Sequence, residues 1–221
     1  SPLPQQISWG GAAFANSEKF YLVGASQADA DAVEFLSSKV NVIGTSEKVN
    51  AKKFPQATPS IIGEANDKAV KKFKKLIPAQ AEGYYLKVSA EQVIVAGRDN
   101  SGTFYGVQTL AQVMGQPQVM ECEVTDYPSV TDRGVIEGFY GNPWSHKGRL
   151  RQFDFYGQHK MNIYVYGPKD DPYHRAKWRE PYPEKEAALL RELVEAAHRN
   201  KAQQVRAMHP GGDSKWNKTD S

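Results

Sequence analysis

Cysteine is nearly absent from this sequence. Cys122 is its only cysteine, so the chain can form no internal disulfide and no zinc site built from several thiolates. Cysteine usage therefore says nothing about the compartment, and stability must come from packing. The five histidines lack the i, i+4 pairing with a carboxylate that zinc helices show. No phosphate-binding glycine loop, nucleophile elbow or dinucleotide fingerprint occurs either, so we expect no metal and no cofactor.

Long hydrophobic runs and a strong charge of one sign are also missing. No apolar run approaches the roughly 20 residues that span a bilayer. Residues 1–6 have neither a basic n-region nor an apolar h-region, and we interpret them as a processed or trimmed end. The net charge of +3 is too small to indicate nucleic acid or an anionic membrane as a partner. The lysine-rich run at 71–75 belongs to a segment that has an apolar stripe at helical spacing. We therefore predict that the lysines form the solvated face of a helix. The stripe consists of Ala65, Ala69, Val70, Phe73 and Leu76.

The first part of the chain has the pattern of an α/β domain. Short apolar runs alternate with helical patterns, and the hydrophobic content of 40% is enough for a sizeable core. Alternating apolar residues at 84–88 and 93–95 predict a hairpin, and residues 99–102 provide the chemistry that starts a helix. Pro117 closes that helix. We interpret the polar segment from there to Pro128 as a linker, and place the domain boundary near residue 127.

Beyond that boundary the pattern becomes strand, loop and helix, repeated. We predict parallel strands at 134–137, 161–166 and 204–208, with Ser145 as the N-cap of the first helix and a second helix at 184–199. This is the pattern of a (β/α)₈ barrel, but residues 128–221 are far fewer than the roughly 250 of a whole barrel. The barrel is therefore incomplete in this chain, and its missing remainder is a candidate partner. Arg206 is a misfit, because a charge in a buried strand is costly unless it is paired.

Polar motifs follow the first two strands, at 137–144 and 166–171. Sites form at the carboxyl ends of barrel strands. Lys169 is placed there to donate hydrogen bonds into a pocket, although a salt bridge to a neighbouring aspartate is the structural alternative. Gly138 and Gly141 would let a backbone approach a ligand closely, or would simply form a tight turn.

Several ordered blocks of residues carry a family resemblance: 133–141, 143–144, 155–157, 160–162, 168–174, 178–182 and 209–213. Together they resemble glycoside hydrolase family 84, the O-GlcNAcases and bacterial hyaluronidase-like β-N-acetylglucosaminidases. The resemblance covers well over half of the chain and extends weakly back to Gly83. It implies a small α/β domain at 1–127 followed by the opening of the catalytic barrel at 128–221.

The resemblance also implies an activity and a set of site residues. It predicts a retaining β-N-acetylglucosaminidase that uses substrate-assisted catalysis on glycans or glycoproteins with terminal β-linked N-acetylglucosamine. In the family, the residues matching Lys169 and the Gly138 backbone hold the ring hydroxyls of that sugar. Tyr140 is a further candidate for substrate contact, as a wall of the sugar site, although aromatics in such places are more often core. The catalytic aspartate pair is expected beyond Ser221, at the end of a fourth strand.

The adjacent carboxylates of Asp170 and Asp171 invite a different reading, because glycoside hydrolysis uses paired carboxylates. The resemblance places the catalytic pair elsewhere, so we assign Asp170 and Asp171 to shaping the loop around Lys169. Glu137 is expected to be a buried hydrogen-bonding partner and not an acid catalyst. His174 is expected to support the same loop.

Two other hypotheses stay open at this point. The chain could be a non-catalytic glycan-binding fragment or a degenerate relative, or a folding fragment without function. An Asp-Asp pair within the fifty or so residues after Ser221 would favour the enzyme, on the usual spacing of βα units. Because bacterial relatives are often exported, the resemblance also leads us to expect a periplasmic or secreted location.

Overall fold

The computed structural model describes residues 2–209 of the chain. It divides between Thr131 and Asp132 into two units, whereas we predicted a boundary near residue 127. Of the last block of the resemblance, residues 210–213 lie outside the described residues. Among residues 2–209, no helix has both the length and the apolar character needed to cross a membrane.

The first unit is a seven-stranded mixed sheet with two α-helices and a short 3₁₀ helix. The strands lie in the order β1-β7-β5-β6-β4-β2-β3. Its elements, in chain order, are β1 (Gln6–Ala15), β2 (Phe20–Val23), α1 (Ala30–Lys39), β3 (Val42–Ser46), β4 (Thr58–Glu64), the 3₁₀ helix (Lys71–Leu76), β5 (Tyr84–Val88), β6 (Val93–Gly97), α2 (Asn100–Val113) and β7 (Gln118–Asp126).

The core of this unit lies on both faces of the sheet. The predicted hairpin is confirmed as the antiparallel pair β5 and β6. On one face Leu86 packs in a cluster that includes Leu36 of α1 and Phe104 of α2. On the other face Tyr85 packs in a second cluster with Ile94. Because successive side chains of a strand point to opposite faces, both sets of the hairpin are buried and the sheet forms the middle layer of the unit.

The linker predicted between Pro117 and Pro128 is wrong, because residues 118–126 form β7. This strand pairs with both β1 and β5, so it lies inside the sheet. Its buried Cys122 and Val124 alternate with outward-facing glutamates, Glu121 and Glu123. Five of the residues at 118–126 are acidic or polar, which resembles the composition of a linker, although the alternation of buried and exposed residues has the period of two of a strand. β1 was not anticipated either, since most of its residues are exposed and give no apolar pattern.

The lysine-rich segment is a 3₁₀ helix over Lys71–Leu76, and its lysines are exposed, as expected for a solvated face. The predicted apolar stripe is wrong at its last residue, Leu76. Leu76 is 48% exposed, and Ile77 is buried in its place. The reason is local: the helix ends at Leu76, and Ile77 adopts an extended conformation that turns its side chain into the core.

The described part of the second unit, residues 132–209, contains three parallel strands in the order β10-β9-β8. This is the α/β architecture of the first βα units of a TIM barrel, as predicted. Its elements are β8 (Gly134–Glu137), α3 (His146–Gln158), β9 (Ile163–Tyr166), a 3₁₀ helix (Pro172–His174), α4 (Glu184–Arg199) and β10 (Gln203–Arg206). Ser145 caps α3 as predicted, because its Oγ accepts a hydrogen bond from the Gly148 amide at 3.1 Å. Tyr164 of β9 packs with Phe153 of α3 and Leu193 of α4 in one buried cluster.

Arg206 is the last residue of β10 and is not buried within the described part of the chain. The prediction that Arg206 is buried in the strand is therefore wrong. Its Nη2 donates to the Tyr173 carbonyl at 2.6 Å, and its guanidinium lies 4.4 Å from the centre of the Tyr182 ring. The charge stays in contact with water while its planar group stacks on an aromatic face, so no large desolvation cost arises.

Candidate functional site

The carboxyl ends of the three parallel strands lie at one edge of the small sheet. Glu137 of β8 and Arg206 of β10 are both in register with Tyr166 of β9. The loops that follow are also joined: the Gly167 amide donates to the Glu137 carbonyl at 3.0 Å, and the Lys169 amide donates to the Phe139 carbonyl at 3.3 Å. The two motifs singled out in the sequence therefore lie side by side.

Lys169 is half-buried at this edge. Its ammonium contacts the Nε2 atom of His174 at 3.4 Å. Among the described residues no carboxylate lies within 4.0 Å of it, so the salt bridge to Asp170 or Asp171 that we considered does not form there. The ammonium has three N–H donors, and a single imidazole nitrogen leaves donors available for another acceptor.

Asp171 is fully engaged in holding its own loop. Its carboxylate accepts hydrogen bonds from the Tyr166 hydroxyl at 2.9 Å, the Tyr182 hydroxyl at 2.7 Å and the Tyr173 amide at 2.8 Å. Burial, together with the neighbouring Asp171 charge, raises the pKa of both Tyr166 and Tyr182. The two phenols therefore remain donors at neutral pH. Asp170, in contrast, is exposed.

Glu137 is completely buried and has every acceptor position occupied. Arg149 donates to it through Nε at 2.8 Å and through Nη2 at 2.6 Å. The Trp144 amide donates at 3.1 Å, and the Tyr164 hydroxyl donates to Oε2. The hydrogen bond and charge of Glu137 outweigh the opposing effect of burial and raise the pKa of Arg149. Such a carboxylate is a structural anchor with no free lone pair for proton transfer.

The two glycines of the first motif differ in what they require. Gly141 has φ +100°, a conformation that favours glycine, so it forms a turn. At Gly138 an added Cβ would meet one neighbour within 4 Å, the Ile136 Cγ2 atom at 3.3 Å. Internal packing therefore makes little demand for glycine at position 138, and the space next to its backbone is open.

Tyr140 is 72% exposed, so it is not a core aromatic. Its hydroxyl accepts a hydrogen bond from Arg175 Nη2 at 3.2 Å, and the same guanidinium lies 5.5 Å from its ring centre. Phe139 packs against Trp144 at 5.5 Å between ring centres. Sequence reasoning missed Arg175 and Arg149, because both reach their partners across the loops and no local pattern marks them.

A cavity of about 370 Å³ lies between α3, the loop after β9, and α4. Its walls include Arg149, Leu190 and Leu193, together with both aspartates of the loop. Neither Lys169 nor Gly138 lines it. The cavity thus belongs to the helical layer, and of the residues predicted for the site it includes only Asp170 and Asp171.

Comparisons with known proteins agree with this architecture. A family model described as beta-N-acetylglucosaminidase matches residues 133–221, and one described as glycosyl hydrolase family 20, domain 2, matches residues 1–127. The solved structure of CpGH84B superposes with a TM-score of 0.81 and 32% identity over 97% of this chain. This chain belongs to glycoside hydrolase family 84.

Two further comparisons support this assignment. The structure of CpGH84D superposes with a TM-score of 0.83 and 27% identity over 98% of this chain. Protein O-GlcNAcase of Rattus norvegicus is 42% identical over 80 residues, which are 36% of this chain and 9% of that protein. The chain spans 38% of CpGH84B and 39% of CpGH84D, and thus corresponds to the N-terminal portion of the family.

Proposed function

We propose that the protein to which this chain belongs removes terminal β-linked N-acetylglucosamine from glycans or glycoproteins, and that Lys169 and the Gly138 backbone hold the sugar. One observation supports this most strongly. Lys169 lies in the loop after β9, and among residues 2–209 no carboxylate lies within 4.0 Å of its ammonium. A half-buried cation with spare donors suits a ligand that brings oxygen acceptors.

The fixed spacing of the two loops is a second support. The Lys169 amide bonds to the Phe139 carbonyl, and the Gly167 amide bonds to the Glu137 carbonyl. The loops that carry Lys169 and Gly138 are therefore joined by backbone hydrogen bonds, so their backbones need little reorganisation when a ligand binds. Such preorganisation lowers the entropy cost of binding.

In the proposed mechanism the substrate supplies its own nucleophile. The acetamide carbonyl oxygen attacks the anomeric carbon and displaces the leaving-group oxygen, which takes a proton from an acid. Water, deprotonated by the same group, then opens the cyclic oxazoline-type intermediate with overall retention. We propose that the aspartate pair serving this chemistry follows Ser221, on a fourth strand. Lys169 would fix the sugar ring so that the acetamide meets the anomeric carbon.

Hydrolysis of 4-nitrophenyl N-acetyl-β-glucosaminide by the whole protein tests this proposal. We expect turnover, and competitive inhibition by the thiazoline that mimics the cyclic intermediate, because such mimics exploit complementarity to the transition state. An enzyme that cleaves the substrate but ignores the thiazoline would have another mechanism. Retention of configuration, followed by NMR of the first-formed sugar, is the accompanying check.

A second candidate is a glycan-binding protein without hydrolytic activity. It is favoured by the state of the carboxylates at the described strand ends, because Glu137 and Asp171 are both committed to structural hydrogen bonds. The two candidates differ in a single measurement on the whole protein. Binding of N-acetylglucosamine without any turnover of the aryl glycoside would favour the binding protein, as would the lack of an Asp-Asp pair after Ser221.

A further inference from the structure

His174 is one of the few polar side chains buried in the second unit, and it lies beside Lys169. It is 3% exposed and ends the short 3₁₀ helix that Asp171 caps. Its imidazole has two neighbours. Nδ1 lies 2.9 Å from the Ala207 carbonyl oxygen, and Nε2 lies 3.4 Å from the Lys169 ammonium.

The chemistry of these neighbours fixes the tautomer of the ring. A carbonyl oxygen only accepts, so the hydrogen bond to Ala207 requires a proton on Nδ1. An ammonium only donates, so Nε2 must offer its lone pair to Lys169. Both demands are met at once by a neutral imidazole that is protonated at Nδ1. The ring therefore links the backbone just after β10, at Ala207, to the Lys169 side chain.

The backbone around His174 is built to keep the ring in place. The Ala207 amide donates to the Tyr166 carbonyl at 2.8 Å, and the His209 amide donates to the His174 carbonyl at 2.8 Å. Gly167 provides the room: a Cβ there would lie 2.9 Å from the Ala207 Cβ and 3.3 Å from the His174 Cε1. The loop at 167–174 therefore holds the imidazole between the carboxyl ends of β9 and β10.

We infer that His174 is a positioning residue that holds the Lys169 ammonium in the orientation needed for sugar binding. A lysine side chain has many rotamers, so fixing it costs conformational entropy when nothing restrains it beforehand. Among the described residues no carboxylate restrains Lys169. The imidazole provides that restraint without neutralising the charge, so the ammonium stays available for sugar hydroxyls. This inference rests on the proposed role of Lys169.

Two substitutions separate the functions of the two ring nitrogens. In His174→Asn the amide nitrogen can replace Nδ1 as donor to Ala207, but no group reaches the Nε2 position. In His174→Gln the amide oxygen reaches the Nε2 position and can accept from Lys169. We expect His174→Asn to weaken inhibition of the whole protein by the thiazoline about twofold to tenfold, and His174→Gln to restore most of that loss.

A double-mutant cycle with Lys169→Ala decides whether His174 acts through the lysine. In the Lys169→Ala background, His174→Asn should have no further effect on the inhibition constant. Losses that simply add would overturn the inference. If Lys169→Ala itself leaves the inhibition constant unchanged, or the protein does not recognise the thiazoline, the proposed function fails instead, and the two failures are thus distinguished.

A spectroscopic measurement tests the geometry without any ligand or activity. Long-range ¹H–¹⁵N correlation spectra of the wild-type protein report which imidazole nitrogen of His174 carries the proton. The inference requires protonation at Nδ1 alone at neutral pH. A ring protonated at Nε2 alone, or at both nitrogens, could not accept from Lys169 and would overturn it, whatever the variants do.

Discussion

The Glu137 carboxylate binds the Arg149 guanidinium through both oxygens, with Nε at 2.8 Å and Nη2 at 2.6 Å. Glu137 ends β8, immediately before Gly138, and Arg149 lies in α3, so the pair joins the end of the strand to the helix. Because Glu137 is fully buried, removing its charge leaves a cation in the protein interior without compensation.

Glu137→Gln should therefore destabilise the second unit by about 3 to 5 kcal/mol. The measurement is urea unfolding of the protein monitored by circular dichroism. The matched control is Glu192→Gln, which removes an exposed carboxylate that contacts His146 at 2.8 Å on the surface and should cost at most about 1 kcal/mol. Equal costs for the two variants would mean that the buried pair is not an anchor.

Asp171 and Asp170 are adjacent carboxylates, and we expect their substitution by asparagine to differ in its cost to stability. Asp171→Asn disturbs an acceptor that serves Tyr166, Tyr182 and the Tyr173 amide, and should cost about 1 to 3 kcal/mol of stability. Asp170→Asn changes an exposed group and should stay within about 0.5 kcal/mol. Thermal unfolding of both variants provides the comparison. A larger loss at position 170 would show that the loop is held differently.

Gly134 begins β8 and Gly138 follows it. Substitution by alanine should affect stability very differently at these two positions. At Gly134 a Cβ would lie 1.7 Å from the Ile163 carbonyl oxygen, so Gly134→Ala must push two paired strands apart and should be strongly destabilising. Gly138→Ala meets only a side-chain methyl of Ile136, so it should unfold close to wild type. If the sugar approaches the Gly138 backbone, the same variant should bind the thiazoline more weakly. Wild-type affinity in Gly138→Ala would contradict that approach.

Stability of the first unit should fall as the pH rises between about 4.5 and about 7. Burial, with a smaller effect from the Asp67 charge, raises the pKa of Glu64 from its ordinary 4.5 to about 7. The folded state then holds a proton that the unfolded state has released, so its advantage is complete below the lower value and is lost as the pH rises through the upper one. Glu64→Gln should remove this slope from urea midpoints measured across the range. An unchanged slope would assign it to other groups.

The strand ends and their loops were predictable from the sequence because their signals are local. Val135 and Ile136 give way abruptly to a polar, glycine-containing loop, and the same change occurs after Tyr166. β7 was not predictable in this way, since Glu121 and Glu123 on its outer face masked the buried alternation of Cys122 and Val124. The polar composition of residues 118–126 received more weight than their period of two, and the pairing of β7 with β1 and β5 shows that they form a strand.

The candidate site was predicted in part for the same reason. Lys169 and Gly138 stand out because of their place in the chain and the family resemblance. His174 was expected to support the loop of Lys169, but its contact with the Ala207 carbonyl, just after a third strand, was not. Arg149 reaches Glu137 from the next helix and was not anticipated. Contacts between residues far apart in sequence produce no local pattern from which they could be predicted. Arg206 shows the converse, because its strand was expected but its exposure was not.

The most direct test of the account is the thiazoline inhibition constant of Lys169→Ala in the whole protein, measured beside Lys177→Ala. Lys177 is a half-exposed lysine of the same loop region whose ammonium lies 3.8 Å from Glu180. Loss of a hydrogen bond from a charged donor costs about 1.5 to 3 kcal/mol, so Lys169→Ala should weaken inhibition about tenfold to a hundredfold. Lys177→Ala should leave it unchanged. Equal inhibition constants for wild type and Lys169→Ala would contradict the claim that this lysine holds the sugar.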